Sequence, residues 1–367
     1  MRGHSLLLLL CLVALPFVCG FGSPRLVDDS YQPKYRISTV QLQQLGESQQ
    51  LAEISANAAL VYDVDSDQIL FSRNADLALP PASLTKLMTA LLVLEKDDLQ
   101  ASVTILEEDL IGNTNMGLEA GEVLSVEQLL FGMLINSAND AAMALARHEA
   151  GSVDLFVAQM NQRSAELALP SSHFVNPHGL DAETHLSSAR DLLLLTRTLW
   201  KFPLFQQIVS TKQITIAGHA LLNTNELLGG ALAINGVKTG TTDNAGECLI
   251  TGWLSKGHQR FVVVLGSRDR YTDTRQSIYT AEQLFPWREL NPWQMSLLNR
   301  TAQEAGMRYL HPQSASVPML LSPLNQNTLI GQRTFFPKAM ESGAVGEIVW
   351  MLAGKQVGAN QLFSFAN

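Results

Sequence analysis

Apolar positions recur at helical spacing through Leu84, Leu87, Met88, Leu91 and Leu92, directly after Pro80-Pro81. Proline just outside the start and a 3.6-residue period inside it predict a helix beginning near Leu84. Leu129 to Ile135 forms a second helical apolar stretch that stops at small polar residues, Asn136, Ser137 and Asp140. The pattern then changes. Glu247 to Leu254 and Arg260 to Leu265 read as strands, and the gap between them, Ser255 to Gln259 with Gly257 inside, has hairpin length. Lys238 to Thr241 follows Asn235-Gly236-Val237 and belongs on a strand beside that hairpin. Farther on, Val317 to Leu321, Thr328 to Ile330, Thr334 to Phe336, Val345 to Leu352 and Gln361 to Phe365 are short strands between Gly, Pro and Asn turns.

At the other end, Arg2 leads into Leu6 to Val18, an apolar core too short to span a bilayer comfortably, with Gly20 or Gly22 as a small residue for cleavage. Residues 1–22 therefore read as a signal peptide. Cys19 raises a lipoprotein alternative, which Pro16-Phe17-Val18 fits poorly. Residues 23–55 are polar and read as a tether with one helix around Gln41 to Ala52. The total of 367 residues suggests two domains, 56–290 and 300–367, with a linker from Phe285-Pro286-Trp287 to Pro292. The last strand-like segment runs close to Asn367 with no basic face or apolar stripe, so no C-terminal membrane-anchoring helix is expected.

Charge and cysteine content narrow the picture. A net charge of -9 without a basic run argues against nucleic acid and against a basic helix lying on a membrane. Of three cysteines, Cys11 and Cys19 lie in the leader, which leaves Cys248 as a small buried residue with no partner for an internal disulfide.

Three short strings carry the candidate chemistry: Ser83-Leu84-Thr85-Lys86, Ser137-Ala138-Asn139 and Lys238-Thr239-Gly240. Each alone is weak. Residues three apart on a helix face sit about 5–6 Å apart at Cβ, which brings the Lys86 amine within reach of the Ser83 hydroxyl. A serine is a poor nucleophile until a base takes its proton, and a lysine base must be neutral, which burial and a second cation such as Lys238 would favour. The plainer alternatives are an N-cap serine with a solvated lysine, and helix capping by Asn136, Ser137 and Asp140.

With these strings on the page, the chain resembles the serine D-alanyl-D-alanine carboxypeptidases among the low-molecular-mass penicillin-binding proteins. Pro80-Pro81-Ala82, Asn176-Pro177-His178-Gly179-Leu180-Asp181, Ser188-Ala189-Arg190-Asp191, Asn223-Thr224-Asn225 and Thr241 to Gly246 extend the likeness over Ala58 to Trp287. The resemblance implies an α/β (α+β) fold of the β-lactamase/transpeptidase type, an antiparallel sheet with a helical lobe, followed by a small all-β sandwich. It also implies roles. Ser83 attacks the penultimate D-alanine carbonyl, Lys86 takes its proton, and Ser137 relays a proton toward the leaving D-alanine. Asn139 holds the acyl-side amide, Lys238 tunes both bases, and Thr239 binds the terminal carboxylate. The amides of Ser83 and Thr241 form the oxyanion hole, with Gly240 between Thr239 and Thr241 in the strand. Arg270 assists at the carboxylate, with Arg268 and Arg275 as alternatives.

The implied partners are a peptidoglycan pentapeptide and β-lactam inhibitors, with no cofactor and no metal, outside the cytoplasm. Class A β-lactamases need a separate glutamate for deacylation. Neither Glu166 nor Glu183 makes that pattern, so rapid β-lactam hydrolysis is not expected. Two rivals remain: a noncatalytic penicillin-binding module, and a metal peptidase using His173, His178 and His185, for which no carboxylate spacing is present.

Overall fold

The computed structural model describes residues 54–96, 98–112, 114–290, 310–312, 317–320, 329–335, 344, 346–352 and 355–364. The expected leader and the tether with its helix, except Ile54 and Ser55 at the tether's end, lie outside the described residues. In chain order the strands are β1 Ala58–Asp63, β2 Gln68–Arg73, β3 Ser102–Thr104, β4 Val123–Ser125, β5 Gln213–Ile216, β6 His219–Leu222, β7 Ile234–Thr242, β8 Gly246–Ser255 and β9 His258–Ser267. The helices are α1 Lys86–Lys96, α2 Val126–Ile135, α3 Asn139–Ala150, α4 Val153–Glu166, α5 Ala189–Leu199, α6 Pro203–Ser210 and α7 Arg270–Leu284.

The main sheet is five-stranded and antiparallel, in the order β2-β1-β9-β8-β7. Its centre is buried on both faces. Phe261, Val263 and Leu265 of β9 join the large core shared with α1, α2, α3 and α5, while Val262 and Val264 join a second core with Ile278, Ala281 and Phe285 around α7. A strand covered on both sides needs apolar residues at successive positions, which is why Arg260 to Leu265 reads as a continuous run rather than an alternation. The fold class is the expected one: an antiparallel sheet between a helical lobe and a covering helix.

The hairpin lies where the pattern put it, slightly extended at both ends, with Lys256 and Gly257 at positive φ in its turn. The region around Ser83 differs from expectation. Ala82–Thr85 is a 3-10 turn and α1 starts only at Lys86. Ala82, at φ 49°, turns the chain between Pro81 and the helix, and Ser83 makes no cap hydrogen bond.

Beyond the main sheet, the expected linker is structured at its start. Trp287–Leu290 forms β10, paired with Val317–Leu320. The Trp287 indole N–H donates to Asp63 Oδ2 at 2.7 Å, and its ring stacks on His258 with centroids 3.7 Å apart. Apolar area with one polar handle fixes the indole here, so the composition of the segment misleads about its order. A four-stranded antiparallel sheet contains Leu310–Pro312, Lys355–Ser364, Gly346–Leu352 and Leu329–Phe335 in that order. Where two short strands are expected, Thr328 to Ile330 and Thr334 to Phe336, the described residues form one strand, Leu329–Phe335, and Thr328 and Phe336 lie outside the described residues.

Candidate active site

The 3-10 turn sets the first relationship. In that geometry side chains at i and i+3 eclipse, so Lys86 stands over Ser83. Lys86 Nζ lies 2.9 Å from Ser83 Oγ and donates to Asn139 Oδ1 at 2.8 Å and to the His178 carbonyl at 2.7 Å. The amine is fully buried while Ser83 keeps partial exposure. Burial holds the Lys86 ammonium well below the usual lysine range, Lys238 pushes it farther down, and Asp140 opposes them.

Asn139 is the first residue of α3, reached from α2 through Asn136, Ser137 and Ala138. Ser137 is buried at φ 61°, a conformation few non-glycine residues adopt, and one concentrated at functional sites. The bend is fixed by amide donation from both Asn136 and Ala138 to the Gly132 carbonyl. The Asn139 side-chain oxygen Oδ1 accepts from Lys86, a contact the expected substrate role did not include.

The third string lies on β7, at an edge of the main sheet. Gly240 packs against the Ser83 turn: a Cβ there would lie 2.9 Å from the Ser83 amide nitrogen and 3.1 Å from the Pro81 carbonyl. Only glycine allows this approach without displacing backbone. Lys238 is buried, donates to the Thr239 carbonyl at 2.9 Å, and is lowered to about 7 by burial and then by Arg270. Arg270 is the first residue of α7, whose N-cap is Asp269. Its guanidinium donates to the Gly240 carbonyl at 3.0 Å, to the Cys248 carbonyl at 3.2 Å and to Thr241 Oγ1, and Glu247 Oε2 faces its Nε at 3.2 Å. Arg268 and Arg275 are exposed, whereas Arg270 is buried and bonds to Gly240 and Thr241 of this strand.

Ser83, Lys86, Asn139 and the β7 residues are thus assembled around one turn. Sequence reasoning missed the His178 carbonyl, because a backbone atom has no residue-type signature. Its loop is nonetheless marked by Gly179, where a Cβ would lie 2.0 Å from the Ala82 carbonyl and φ is +92°. His178 and His185 are buried, and burial lowers them to about 3 and about 4. Their Nδ1 atoms accept from the Leu180 and Val175 amides. Among the described residues no group of three or more His, Cys, Asp or Glu is placed to hold a metal ion. Glu166 sits on the exposed end of α4, paired with Arg163, and Cys248 is buried in β8 opposite Gly240.

A family model described as D-alanyl-D-alanine carboxypeptidase (Peptidase_S11) matches residues 44–269. The chain is 34% identical over 221 residues to the D-alanyl-D-alanine carboxypeptidase DacF of Bacillus subtilis, covering 57% of each protein. It is 35% identical over 234 residues to DacA of Escherichia coli K12, covering 59% of this chain and 57% of that one. The matched region therefore spans less than two thirds of these relatives. The crystal structure of penicillin binding protein 6B from Escherichia coli is similar at a TM-score of 0.65 and 28% identity, covering 87% of this chain and 98% of that one.

Proposed function

The chain belongs to the D-alanyl-D-alanine carboxypeptidase family of serine peptidases, and from that premise we propose that it removes the terminal D-alanine from peptidoglycan stem pentapeptides through an acyl-enzyme on Ser83. The observation that carries the reading is the environment of Lys86. A neutral amine has two N–H donors and one lone pair. With the donors spent on Asn139 Oδ1 and the His178 carbonyl, the lone pair faces Ser83 Oγ at 2.9 Å, ready to accept its proton.

In the acylation step Ser83 Oγ bonds to the penultimate D-alanine carbonyl carbon while its proton passes to Lys86. The oxyanion is held by the amides of Ser83 and Thr241, donors worth about 3–4 kcal/mol each in such reactions. The amide C–N bond then breaks, and the leaving D-alanine nitrogen takes a proton relayed by Ser137. Water attacks the ester and releases the shortened peptide. Thr239 donates to the terminal carboxylate, and Lys238 and Arg270 supply the positive field that draws it in. The substrate backbone pairs along the outer edge of β7 as an added strand.

The same acylation by a β-lactam leaves a slowly hydrolysed adduct. Glu166 on its exposed helix end supports that slowness, since it stands with Arg163 rather than beside the buried base. Export by the N-terminal leader places the enzyme with its cell-wall substrate, in the periplasm or outside the cell. The catalytic domain ends near Leu290, and the β-rich remainder serves stability or placement at the wall. Mass spectrometry of a purified pentapeptide digest tests the reading: release of one D-alanine supports it, and an intact pentapeptide with a penicillin-reactive enzyme sinks it.

A further inference from the structure

Thr224 touches three parts of the site at once. Its amide donates to the Ile135 carbonyl at 3.2 Å, at the end of the helix that leads into Ser137. Its carbonyl accepts from Tyr271 Oη at 2.8 Å, one residue after Arg270. Its hydroxyl lies 2.5 Å from the hydroxyl of Thr239. The flanking asparagines hold it there. Asn223 Nδ2 donates to the Thr211 carbonyl at 3.0 Å, beyond α6, and Asn225 Nδ2 donates to the Gly236 carbonyl at 3.1 Å, within β7. The Asn223-Thr224-Asn225 string is thereby accounted for: two clamps and one hydroxyl between them.

We propose that Thr224 is a positioning residue that sets the direction of the Thr239 hydroxyl proton, and with it the preference for substrates ending in a free carboxylate. The inference rests on the carboxypeptidase reading above. A threonine hydroxyl has one proton. If Thr239 gives that proton to the substrate carboxylate, the short contact with Thr224 can only be donated by Thr224. The chain then runs from Thr224 Oγ1–H to Thr239 Oγ1, and from Thr239 Oγ1–H to the carboxylate. Each bond polarises the next, so the second donor strengthens the first. Without it, the Thr239 hydroxyl is free to rotate and loses its aim at the anion.

The test compares Thr224→Val, which keeps shape and removes the hydroxyl, with Thr224→Ser, which keeps the hydroxyl. Three reactions are measured: D-alanine release from an acyl-D-alanyl-D-alanine peptide, acylation by benzylpenicillin, and turnover of an activated acyl-D-alanine ester that carries no carboxylate. Thr224→Val is expected to slow the two carboxylate-bearing reactions about tenfold more than the ester. Thr224→Ser should recover most of that difference, and in a Thr239→Val background the Thr224→Val change should add little. Equal losses on all three substrates, or a full effect in the Thr239→Val background, would overturn the proposal. A wild-type enzyme that reacts with penicillin but releases no D-alanine refutes the carboxypeptidase reading instead, and the penicillin and ester rates still decide the role of Thr224.

Discussion

The Lys86 amine is held 2.7 Å from the carbonyl oxygen of His178, closer than it stands to the Ser83 hydroxyl. The amine is therefore aimed by backbone from a separate loop. A substitution that keeps positive charge at position 86 but alters the head group leaves this acceptor facing the wrong donor. Lys86→Arg cannot supply a neutral base, because guanidinium does not deprotonate in proteins. Penicillin acylation is expected to fall by about a hundredfold or more with the fold retained. Acylation at the parent rate by a folded variant removes Lys86 from the mechanism.

Ser83→Ala removes the one hydroxyl that Lys86 faces in the 3-10 turn. Both D-alanine release and fluorescent penicillin labelling should disappear. Thermal unfolding should stay near that of the parent, since the Ser83 hydroxyl is partly exposed and caps no helix. Labelling that persists moves the nucleophile to another residue.

Arg270 and Arg275 share a helix and differ in burial. Arg270→Ala should lose most carboxypeptidase activity. It should also destabilise the fold by about 1–3 kcal/mol, because the Gly240 and Cys248 carbonyls lose their donor. Arg275→Ala should change neither beyond experimental scatter. Activity and denaturant unfolding measured on both variants decide the matter, and the reverse ranking rejects Arg270 as the carboxylate partner.

Lys238 gives a pH signature in stability. Its folded value is about 7, below the ordinary lysine value of 10.5, so between these limits the unfolded chain binds a proton that the folded chain does not. Stability from this group therefore rises with pH across that window, by at most about 1.4 kcal/mol per pH unit, and its cost is full below pH 7. Relative to Lys238→Met, the parent should gain stability between pH 7 and pH 9. A constant difference between the two proteins over that range contradicts the depressed value.

The buried pair at the opposite end of the strands is expected to act on stability and not on acylation. Arg260 Nε donates to Asp63 Oδ2 at 2.8 Å, Arg260 also reaches Glu282 and the Phe285 carbonyl, and Trp287 shares the same carboxylate oxygen. Asp63→Ala leaves a buried guanidinium without its main counter-charge, a change that costs about 3–5 kcal/mol. Unfolding should shift accordingly while the penicillin acylation rate per folded molecule holds. A selective loss of acylation with unchanged stability disproves this division.

Much of the site was legible because its three strings sit on locally patterned elements, and the β8–β9 hairpin betrays itself by two apolar runs around a glycine turn. The 3-10 turn at Ser83 was not legible, since i to i+3 spacing fits either helix type. The His178 carbonyl and the Thr224 clamp were hidden for a different reason: they act through backbone atoms and a hydroxyl brought together by long-range pairing. The order at Trp287 was masked by a composition that reads as linker, because its partner Asp63 lies at the far end of the chain.

The sheet order places β1 against β9, so that Ala58 meets Leu265 although nearly the whole catalytic region lies between them in sequence. Ser83 and Lys86 leave the ribosome early, while β7, β8 and β9 follow much later. Until β9 arrives the sheet has no centre, and the Ser83 turn has no settled Gly240 backbone to rest against. Such long-range closure is slow to form and forms as a unit. On the proposed mechanism a nascent chain therefore carries Ser83 without the surroundings that would make it reactive, and those surroundings are complete only when the last strand of the sheet is in place.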